Sequence, residues 1–580
     1  MLSNSLTGNG TLSLQDSALV TLANTASTFA GDINIATGSQ LTAQAAGSLG
    51  TASVVDNGNF VLNTTSDWTL TNAISGSGSV NKTGTGSLTV GKEQTWRGDT
   101  HISQGALNVD GDFGSTGTVY VEQAGTLKGH GSIAGSVDNS GVIDLTSDTV
   151  GNNLVIGGDY SSHDGQLWVN STLGGDNSAH DQLTVKGNTR GNTNVTVHNM
   201  HGLGAETQHG IELVDVQGHS EGTFTLQGRA VAGAYEYALN KASDGNWYLQ
   251  SGTTPPDPDP TPDPDPTPVT HNLRPEAGAY LANQSLANSV FMNTMHDRSD
   301  VNRQSGEDAP ATWAHFDAGR INSKGGNGAL SMGSNTSILR IGCDVFRHDF
   351  GNQRINAGVM TGYANVDTDS NARHVSSRAS GHLKGYNFGV YGTWYGGTVD
   401  QKTGPYVDTW MQYGTFHNSV TGDELSEEKY HAHNWTTSVE MGYDLPVAGL
   451  SSVYIQPQFQ TLYTHYSEGD HVESNGTRIQ SQDSGGVTTR LGARLYGELG
   501  TDTITQPYVE LNWWHGGSDN SVKMDATTVD QNIPVSRYEV KVGAQVKASK
   551  NWTLWISSGV ETGKDSYSSV QGQVGGKYSW

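Results

Sequence analysis

The sequence QVGGKYSW, residues 573–580, closes the chain and is its most specific structural signal. It follows the order polar, x, glycine, x, x, aromatic, x, aromatic, defined by Gln573, Gly575, Tyr578 and Trp580. The stretch belongs to a predicted strand, 567–580. In the strands that precede it, polar and apolar residues alternate with a period of two, which is typical of a β-strand whose two faces meet different surroundings.

Eleven further strand candidates come before this one. In one of them Val453, Ile455 and Phe459 share a face, while glutamines at the intervening positions share the other. Turn-rich segments separate the candidates. The predicted strands lie near 311–319, 337–349, 352–366, 380–396, 403–415, 431–444, 451–466, 484–499, 504–515, 534–548, 550–561 and 567–580.

A soluble β-sandwich would alternate in the same way, so alternation alone leaves both folds open. The predicted strands are long, even in number and aromatic, since the chain after residue 254 holds 9 of the 13 Trp and 17 of the 22 Tyr. This combination favours a transmembrane β-barrel with a wet lumen and lipid outside. No stretch of 18 apolar residues occurs, which excludes a helical membrane span.

Two segments precede the predicted barrel. Residues 255–268 read PPDPDPTPDPDPTP and hold 8 of the 15 prolines, which predicts an extended, solvated linker. Residues 269–300 are predicted to contain a helix that runs to about His296. Pro275 suits its first turn, and Glu276 is favourable near its N-terminus. The helix is rich in Asn and Gln, so it suits a polar lumen better than lipid.

Residues 1–254 have a different character. They contain no proline and few charges, and short apolar runs such as 60–62 and 88–90 are separated by NG, TG and SG turns. A strand paired on both edges uses its backbone N–H groups as hydrogen-bond donors, and proline has no N–H. The absence of proline therefore fits stacked strands. The pattern predicts a right-handed parallel β-helix with coils of about 20 residues.

Several of these segments resemble the monomeric type V autotransporters of the pertactin and adhesin type. SGSGSVNKTGTGSLTVGKEQTWRGDTHISQGALNV (75–109) is similar to the repeat of their passenger domains. DQLTVKGNTRG (181–191) and DGNWYL (244–249) resemble the autochaperone end of a passenger, where Trp247, Tyr248 and Leu249 would close the solenoid. Residues 274–298 resemble the helix that threads the barrel, and 573–580 resemble the signal read by the barrel-assembly machinery.

The resemblance implies an all-β chain with five parts. These are β-helix passenger repeats over 1–106, an autochaperone-like end over 107–254, a Pro/Asp linker over 255–268, a pore-spanning helix over 269–300, and a 12-stranded transmembrane β-barrel over 301–580.

The resemblance also implies a function. The protein would lie in the outer membrane of a Gram-negative cell, translocate its own passenger and display it on the cell surface for adhesion or aggregation. The passenger would emerge as a hairpin, its C-terminal end first, and residues near 107–250 would fold first outside. The implied partners are outer-membrane lipid, the barrel-assembly machinery, periplasmic chaperones, and host or bacterial surface molecules.

Composition argues against other classes of protein. The net charge of −26 disfavours a nucleic-acid partner, because phosphate binding needs a basic face. The single cysteine, Cys343, excludes a disulfide framework and a Cys-rich zinc site. The 20 His show no zinc spacing and residues 1–254 show no catalytic cluster. We therefore expect no enzyme activity, no metal site and no cofactor.

Arg97, Gly98 and Asp99 form an RGD tripeptide, which is a candidate adhesion motif if it lies on an exposed loop. The solenoid offers a plainer interpretation, in which Gly98 and Asp99 make a turn between coils and Arg97 is an ordinary surface residue.

Alternatives stay open at this point. Met1 to Ala30 contain no Lys or Arg, so no secretory leader is visible there, and we expect an upstream N-terminus, a fragment or a non-functional remnant. The chain could also carry an upstream enzymatic passenger, or act as a porin-like channel. Some relatives cut at an Asn-Asn pair in the barrel helix. This helix has no adjacent pair, so no self-cleavage is predicted there.

Overall fold

The computed structural model describes residues 1–90, 94–113, 117–252, 271–298, 311–397, 403–450, 452–482, 484–500, 503–517 and 520–580. It contains two compact units, Met1–Val269 and Thr270–Trp580, and each is described by itself. The predicted linker, 255–268, lies outside the described residues. No helix in the described ranges is long and apolar enough to cross a membrane.

The first unit consists of short strands and one 3-10 turn, Ala46–Ser48. Its strands are β1 (Thr11–Leu14), β2 (Leu19–Leu22), β3 (Asp32–Ile35), β4 (Gln40–Ala43), β5 (Ser53–Asp56), β6 (Asn59–Asn63), β7 (Trp68–Leu70), β8 (Ile74–Gly76), β9 (Ser79–Thr83), β10 (Ser87–Val90), β11 (Thr95–Trp96), β12 (Thr100–Ile102), β13 (Gly105–Val109), β14 (Asp112–Phe113), β15 (Val119–Val121), β16 (Gly125–Gly129), β17 (Ser132–Ile133), β18 (Val137–Asn139), β19 (Val142–Asp144), β20 (Asn153–Ile156), β21 (Tyr160–Ser171), β22 (Gln182–Val185), β23 (Thr189–Asn199), β24 (Ile211–Val216), β25 (Thr223–Leu226), β26 (Ala230–Ala232), β27 (Tyr235–Lys241) and β28 (Trp247–Gln250).

These strands stack in parallel register, as predicted. Leu41, Phe60, Val80, Thr100 and Val119 are successive partners in one column, at intervals of 19, 20, 20 and 19 residues. All five are buried. Each coil therefore places a side chain directly over the equivalent one in the coil before, which gives the solenoid a continuous core.

The coils widen after Val137, which the predicted period of about 20 residues did not anticipate. Val137, Tyr160 and Thr189 are successive partners at intervals of 23 and 29 residues. Strand β21 pairs with both β18 and β19, so one long strand replaces two short ones and the corner between them. The added residues include 172–181. This segment folds back on the end of β21, where Ser171 and His180 form an antiparallel bridge.

The parallel stack ends in an antiparallel cap. Strand β24 pairs in parallel with β22 but antiparallel with β28, which continues through β27 to β26. Trp247 and Leu249 are buried, and the Trp247 ring lies 5.4 Å from that of Phe224. The cap therefore covers the apolar end of the last coil with the side chains predicted to close it.

The second unit contains one α-helix, two 3-10 turns (Met295–Asp297 and Gly326–Gly328) and two kinds of strand among its described residues. The elements are α1 (Glu276–Ser289), β29 (Ala311–Gly325), β30 (Leu330–Phe350), β31 (Gln353–Ala372), β32 (Arg378–Tyr395), β33 (Gly404–Gly422), β34 (Glu428–Pro446), β35 (Val453–Glu468), β36 (His471–Val472), β37 (Arg478–Gln482), β38 (Gly485–Gly497), β39 (Thr505–Gly516), β40 (Ser521–Met524), β41 (Thr527–Asn532), β42 (Ser536–Lys547), β43 (Trp552–Gly563) and β44 (Ser568–Ser579).

Twelve long antiparallel strands close into a barrel. The order around it is β29, β30 to β35, β38, β39, β42, β43 and β44, and β44 pairs back to β29 from Ala311↔Ser579 to Asn322↔Ser568. All twelve predicted strands are confirmed. Five of them, β30 to β34, reach 18 to 21 residues and are longer than predicted, because polar residues continue the pairing beyond the alternating segments.

Connections of unequal length distinguish the two ends of the barrel. Those at one end, which we call the loop end, span 326–329, 373–377, 423–427, 469–484, 517–535 and 564–567. The two longest, 469–484 and 517–535, contain the short strands β36, β37, β40 and β41, which the alternation pattern missed because they are brief and polar. The C-terminus lies at the opposite, turn end. Long loops face the cell exterior in barrels of this kind.

The outer surface of the barrel carries an apolar belt. On β34 the outward residues run from Trp435 through Val439 and Met441 to Leu445, all exposed. Ten residues at about 3.4 Å each, tilted by about 40°, span roughly 26 Å, which matches the apolar thickness of an outer-membrane barrel. The belt ends at aromatic residues, where cross-strand rings pack at 5.2 Å for Tyr363–Tyr386 and 4.8 Å for Tyr413–Trp435.

Candidate functional site

The lumen of the barrel is the candidate site, and its wall is polar because alternate residues of each strand turn inward. On β35, Gln456, Gln458 and Gln460 are buried while Ile455 and Phe459 are exposed outside, as predicted. Such a lumen offers many hydrogen-bond donors and acceptors to whatever chain segment occupies it.

A helical segment of the same chain occupies this lumen. Helix α1 begins after Pro275, with Glu276 in its first turn, and nearly all of its residues are buried. Its amides bond the wall: Asn283 Nδ2 donates to Tyr430 Oη at 3.2 Å, and Gln284 Nε2 donates to Ser481 Oγ at 2.8 Å. The Asn and Gln content of the helix is thus explained by polar partners on the barrel.

The helix ends at Ser289, earlier than predicted, because the barrel wall supplies alternative donors. Gln412 Nε2 donates to the carbonyl of Phe291 at 2.8 Å, and Gln460 Nε2 donates to that of Asn293 at 3.0 Å. Backbone carbonyls satisfied by side chains no longer need helical N–H partners. Helical periodicity in the sequence carries no signal for this change.

A buried ion pair anchors the segment at the loop end. Arg274 lies 2.5 Å from Glu473, and neither side chain is more than 3% exposed. Tyr280 Oη donates to the other oxygen of Glu473 at 3.0 Å. Glu473 belongs to the long connection 469–484, so this connection holds the start of the helix.

A second anchor lies deeper in the lumen. Arg298 pairs with buried Asp408 and stacks over the Tyr391 ring at 4.5 Å. Its neighbour Asp297 lies 3.0 Å from Lys541. Buried pairs of this kind orient a segment strongly, because removing one partner leaves an uncompensated charge.

The segment does not fill the lumen completely. A cavity of about 210 Å³ remains between Val290–Asp297 and the wall of β29, β39 and β42 to β44. Its lining includes Asp317, Arg537, Lys541 and Glu561, so the space is charged and wettable.

The residues of the predicted assembly signal fall on the two faces of β44. Gln573 faces the lumen and its Nε2 donates to Asp297 at 3.2 Å. A Cβ at Gly575 would overlap the Trp555 ring, which covers this glycine from the next strand. Tyr578 is exposed outside, and its ring lies 5.0 Å from Trp552 and 6.2 Å from Trp580.

The RGD tripeptide lies at a corner of the solenoid. Arg97 and Asp99 are exposed, while a Cβ at Gly98 would overlap the backbone of Gly78 in the coil below. The carboxylate of Asp99 accepts from the N–H of Thr118 at 2.9 Å. The corner thus uses Gly98 and Asp99 for stacking, as the plainer interpretation expects, and leaves the Arg97 side chain in solvent.

The closed barrel has an apolar belt and a lumen occupied by its own chain, so it is a self-plugged membrane barrel. The same polypeptide also contains a parallel solenoid. Comparisons with known proteins agree. The autotransporter beta-domain model matches residues 312–559, and the autochaperone domain type 1 model matches residues 132–239.

Three relatives come from Escherichia coli. The uncharacterized protein YuaQ of strain K12 is 37% identical in an alignment that covers 93% of this chain and 41% of the length of YuaQ. The uncharacterized protein YdeU of the same strain is 39% identical in an alignment that covers 74% of this chain and 98% of the length of YdeU. The autotransporter adhesin AIDA-I is 30% identical in an alignment that covers 75% of this chain and 34% of the length of AIDA-I. The structure also aligns with the crystal structure of the AIDA-I transport unit. The alignment covers 53% of this chain and 99% of the AIDA-I structure, with 30% identity and a TM-score of 0.49.

The chain belongs to the autotransporter family, and its barrel resides in the outer membrane. It spans less than half the length of YuaQ and of AIDA-I, so the activity of a whole protein of that length is a matter for proposal.

Proposed function

We propose that the chain moves its own solenoid unit across the outer membrane and displays it on the cell surface for adhesion or aggregation. The observation that carries this proposal is the seating of residues 271–298 inside the lumen. The start of α1, beside Arg274, lies at the loop end, which is the end that faces the cell exterior in membrane barrels with long loops.

Folding outside the cell supplies the driving force in this proposal. The cap, β24 with β26 to β28, is the part nearest the barrel in sequence, so it emerges and folds first. Each earlier coil then stacks on a preformed template, and every stacked coil buries another layer of apolar side chains. The barrel-assembly machinery and periplasmic chaperones are proposed partners, because the strand that carries Gln573, Gly575, Tyr578 and Trp580 must be recognised before the barrel closes.

The proposed adhesive role rests on sequence similarity to proteins that are named as adhesins. AIDA-I and the Brucella suis protein BmaC are both named as adhesins, and 30% and 28% identity respectively relate them to this chain. We accordingly propose host or bacterial surface molecules as partners and no enzymatic activity. Arg97, exposed beside Gly98 and Asp99, is the proposed contact residue within the tripeptide.

A cell-settling assay tests the adhesive role. Cells that display the full chain behind an added secretory leader are expected to aggregate and to adhere more than cells that display 271–580 alone. Arg97→Ala removes the proposed contact without disturbing the Asp99–Thr118 hydrogen bond, and Arg190→Ala, an exposed arginine elsewhere on the solenoid, is the matched control. Equal settling by the full chain and the barrel alone would refute the adhesive role.

Release of the displayed unit by self-cleavage in the helix is not part of the proposal. Asn283 and Asn288 both bond the wall through their side-chain amides, and the chain has no adjacent pair of asparagines in α1. One full-length band after export would support this, and two fragments divided within 275–297 would contradict it.

A further inference from the structure

A row of basic side chains lies on the outer surface of the barrel, immediately beyond the aromatic edge of the belt at the loop end. Lys384, His417 and His431 are direct cross-strand partners on β32, β33 and β34. All three side chains are exposed, and the two imidazole rings lie 4.7 Å apart at 88°. We call these three residues the basic row.

The height of the row on the barrel is fixed by its neighbours along each strand. Tyr386 follows Lys384 at the next outward position of β32, and on β34 the outward residues run from His431 through His433 to Trp435. Outward Trp and Tyr residues mark the boundary between hydrocarbon and headgroups. The row therefore lies at the headgroups of the leaflet at the loop end, which is the outer leaflet.

The charge around the row is unusual for this protein, whose net charge is −26. Asp367 and Glu427, two carboxylates on the neighbouring strand and loop, are already paired, since Asp367 lies 2.6 Å from His382 and Glu427 lies 2.9 Å from Lys429. Within the described part of the chain, no carboxylate lies within ion-pair distance of the basic row itself. Its N–H donors are thus available to an external anion.

We propose that the basic row binds the phosphate of a phosphorylated lipid headgroup in the outer leaflet. Neighbouring strands are about 4.8 Å apart, so the row spans roughly 10 Å and offers donors from three strands to one phosphate. Charge-assisted bonds from ammonium and imidazole suit a phosphate well. The acyl chains of the same lipid would lie against the apolar belt below, near Phe388 and Met411, which are both exposed.

The test uses the purified full chain in detergent, with phosphatidic acid as the probe lipid and phosphatidylcholine of the same acyl chains as the comparison. Native mass spectrometry counts the lipids that each protein retains. The test variant is Lys384→Gln, His417→Gln and His431→Gln together. The control variant, Arg320→Gln, His374→Gln and His515→Gln, removes one strong cation and two exposed histidines elsewhere on the barrel.

We expect the unmodified protein to retain phosphatidic acid in preference to phosphatidylcholine of the same acyl chains. The test variant should lose about tenfold of this preference, because basic side chains next to a lipid surface attract anionic headgroups, and the control should lose less than about twofold. Heat-modifiable migration on gels shows that each barrel is folded.

Two results would overturn the proposal. Equal losses in the test and control variants would show a general charge effect. Displacement of the lipid by millimolar inorganic phosphate alone would show a site for free phosphate instead of a headgroup. The lipid proposal depends only on residues of the barrel, so the result of this test is independent of whether the solenoid has an adhesive role.

Discussion

At the scale of single residues, Gly575 shows why the C-terminal pattern contains a glycine. The Trp555 ring, buried on the lumen side of β43, lies over this position, and no larger residue fits beneath it. We predict that Gly575→Ala destabilises the barrel by about 1–3 kcal/mol, the usual cost of overpacking. Gly572→Ala on the same strand is the control, because a Cβ there meets its nearest atom at 4.0 Å. The folded fraction on heat-modifiable gels measures both, and equal effects would contradict this role of the glycine.

Asp56 gives the solenoid a dependence on pH. Its carboxyl is buried, and burial raises its pKa from 3.8 to about 6, against the hydrogen bond from the N–H of Gly58. The folded state therefore binds the proton more tightly than the unfolded state, so the stability present below about pH 4 is lost as the pH rises through about 6. We predict that Asp56→Asn stabilises the solenoid by about 1–2 kcal/mol at pH 7.5 and has little effect at pH 4.

Pulse proteolysis of the full chain in urea measures this change, with exposed Asp148→Asn as the control. A stabilisation by Asp56→Asn that is the same at both pH values would show that the ionised carboxylate is not the cause.

At the scale of elements, the proposed order of folding makes the cap the part of the solenoid on which the other coils depend. Trp247 is buried against Phe224 at the end of the stack, so Trp247→Ala should cost about 3–5 kcal/mol, as large core truncations do. We expect this variant to reduce both urea resistance and surface display. Trp168→Ala, on the half-exposed outer face of β21, is the control. Normal display of Trp247→Ala would contradict a leading role for the cap.

The lumen helix makes a second prediction at this scale. Arg274→Gln leaves Glu473 buried without its cation, so the start of α1 should loosen and ion conductance across a planar bilayer should rise several-fold. The double variant Arg274→Gln with Glu473→Gln removes the charge as well and is expected to return conductance toward that of the unmodified protein. A high conductance without any substitution would favour the porin-like alternative.

Elements that repeat a simple period could be predicted from the sequence, and elements set by distant contacts could not. The alternation around Val453 predicts which face of the strand meets lipid, and the same alternation in the other segments predicts the twelve barrel strands. The end of α1 depends on Gln412 and Gln460, more than 100 residues away in the chain, which donate to the carbonyls of Phe291 and Asn293 just beyond the helix. The widening after Val137 depends on a long strand, β21, whose partners are set by the whole stack.

At the scale of the whole molecule, the family of the protein could be predicted from the sequence, whereas what its displayed unit binds could not. The C-terminal pattern, the twelve strands and the autochaperone-like segments predicted an outer-membrane autotransporter, and the two family models confirm it. What the displayed unit binds depends on which surface side chains meet a partner, and strand periodicity constrains only the buried ones. Arg97 and the basic row are both exposed, so their roles rest on placement and charge.

The central claim is that the solenoid unit lies outside the cell while the barrel stays in the outer membrane. Protease treatment of intact cells that express the full chain behind an added secretory leader tests this most directly. We predict loss of the solenoid and a protected membrane fragment that begins near Thr270 and ends at Trp580. A chain that stays whole on intact cells, but is cut at the same place once the outer membrane is opened, would contradict the account.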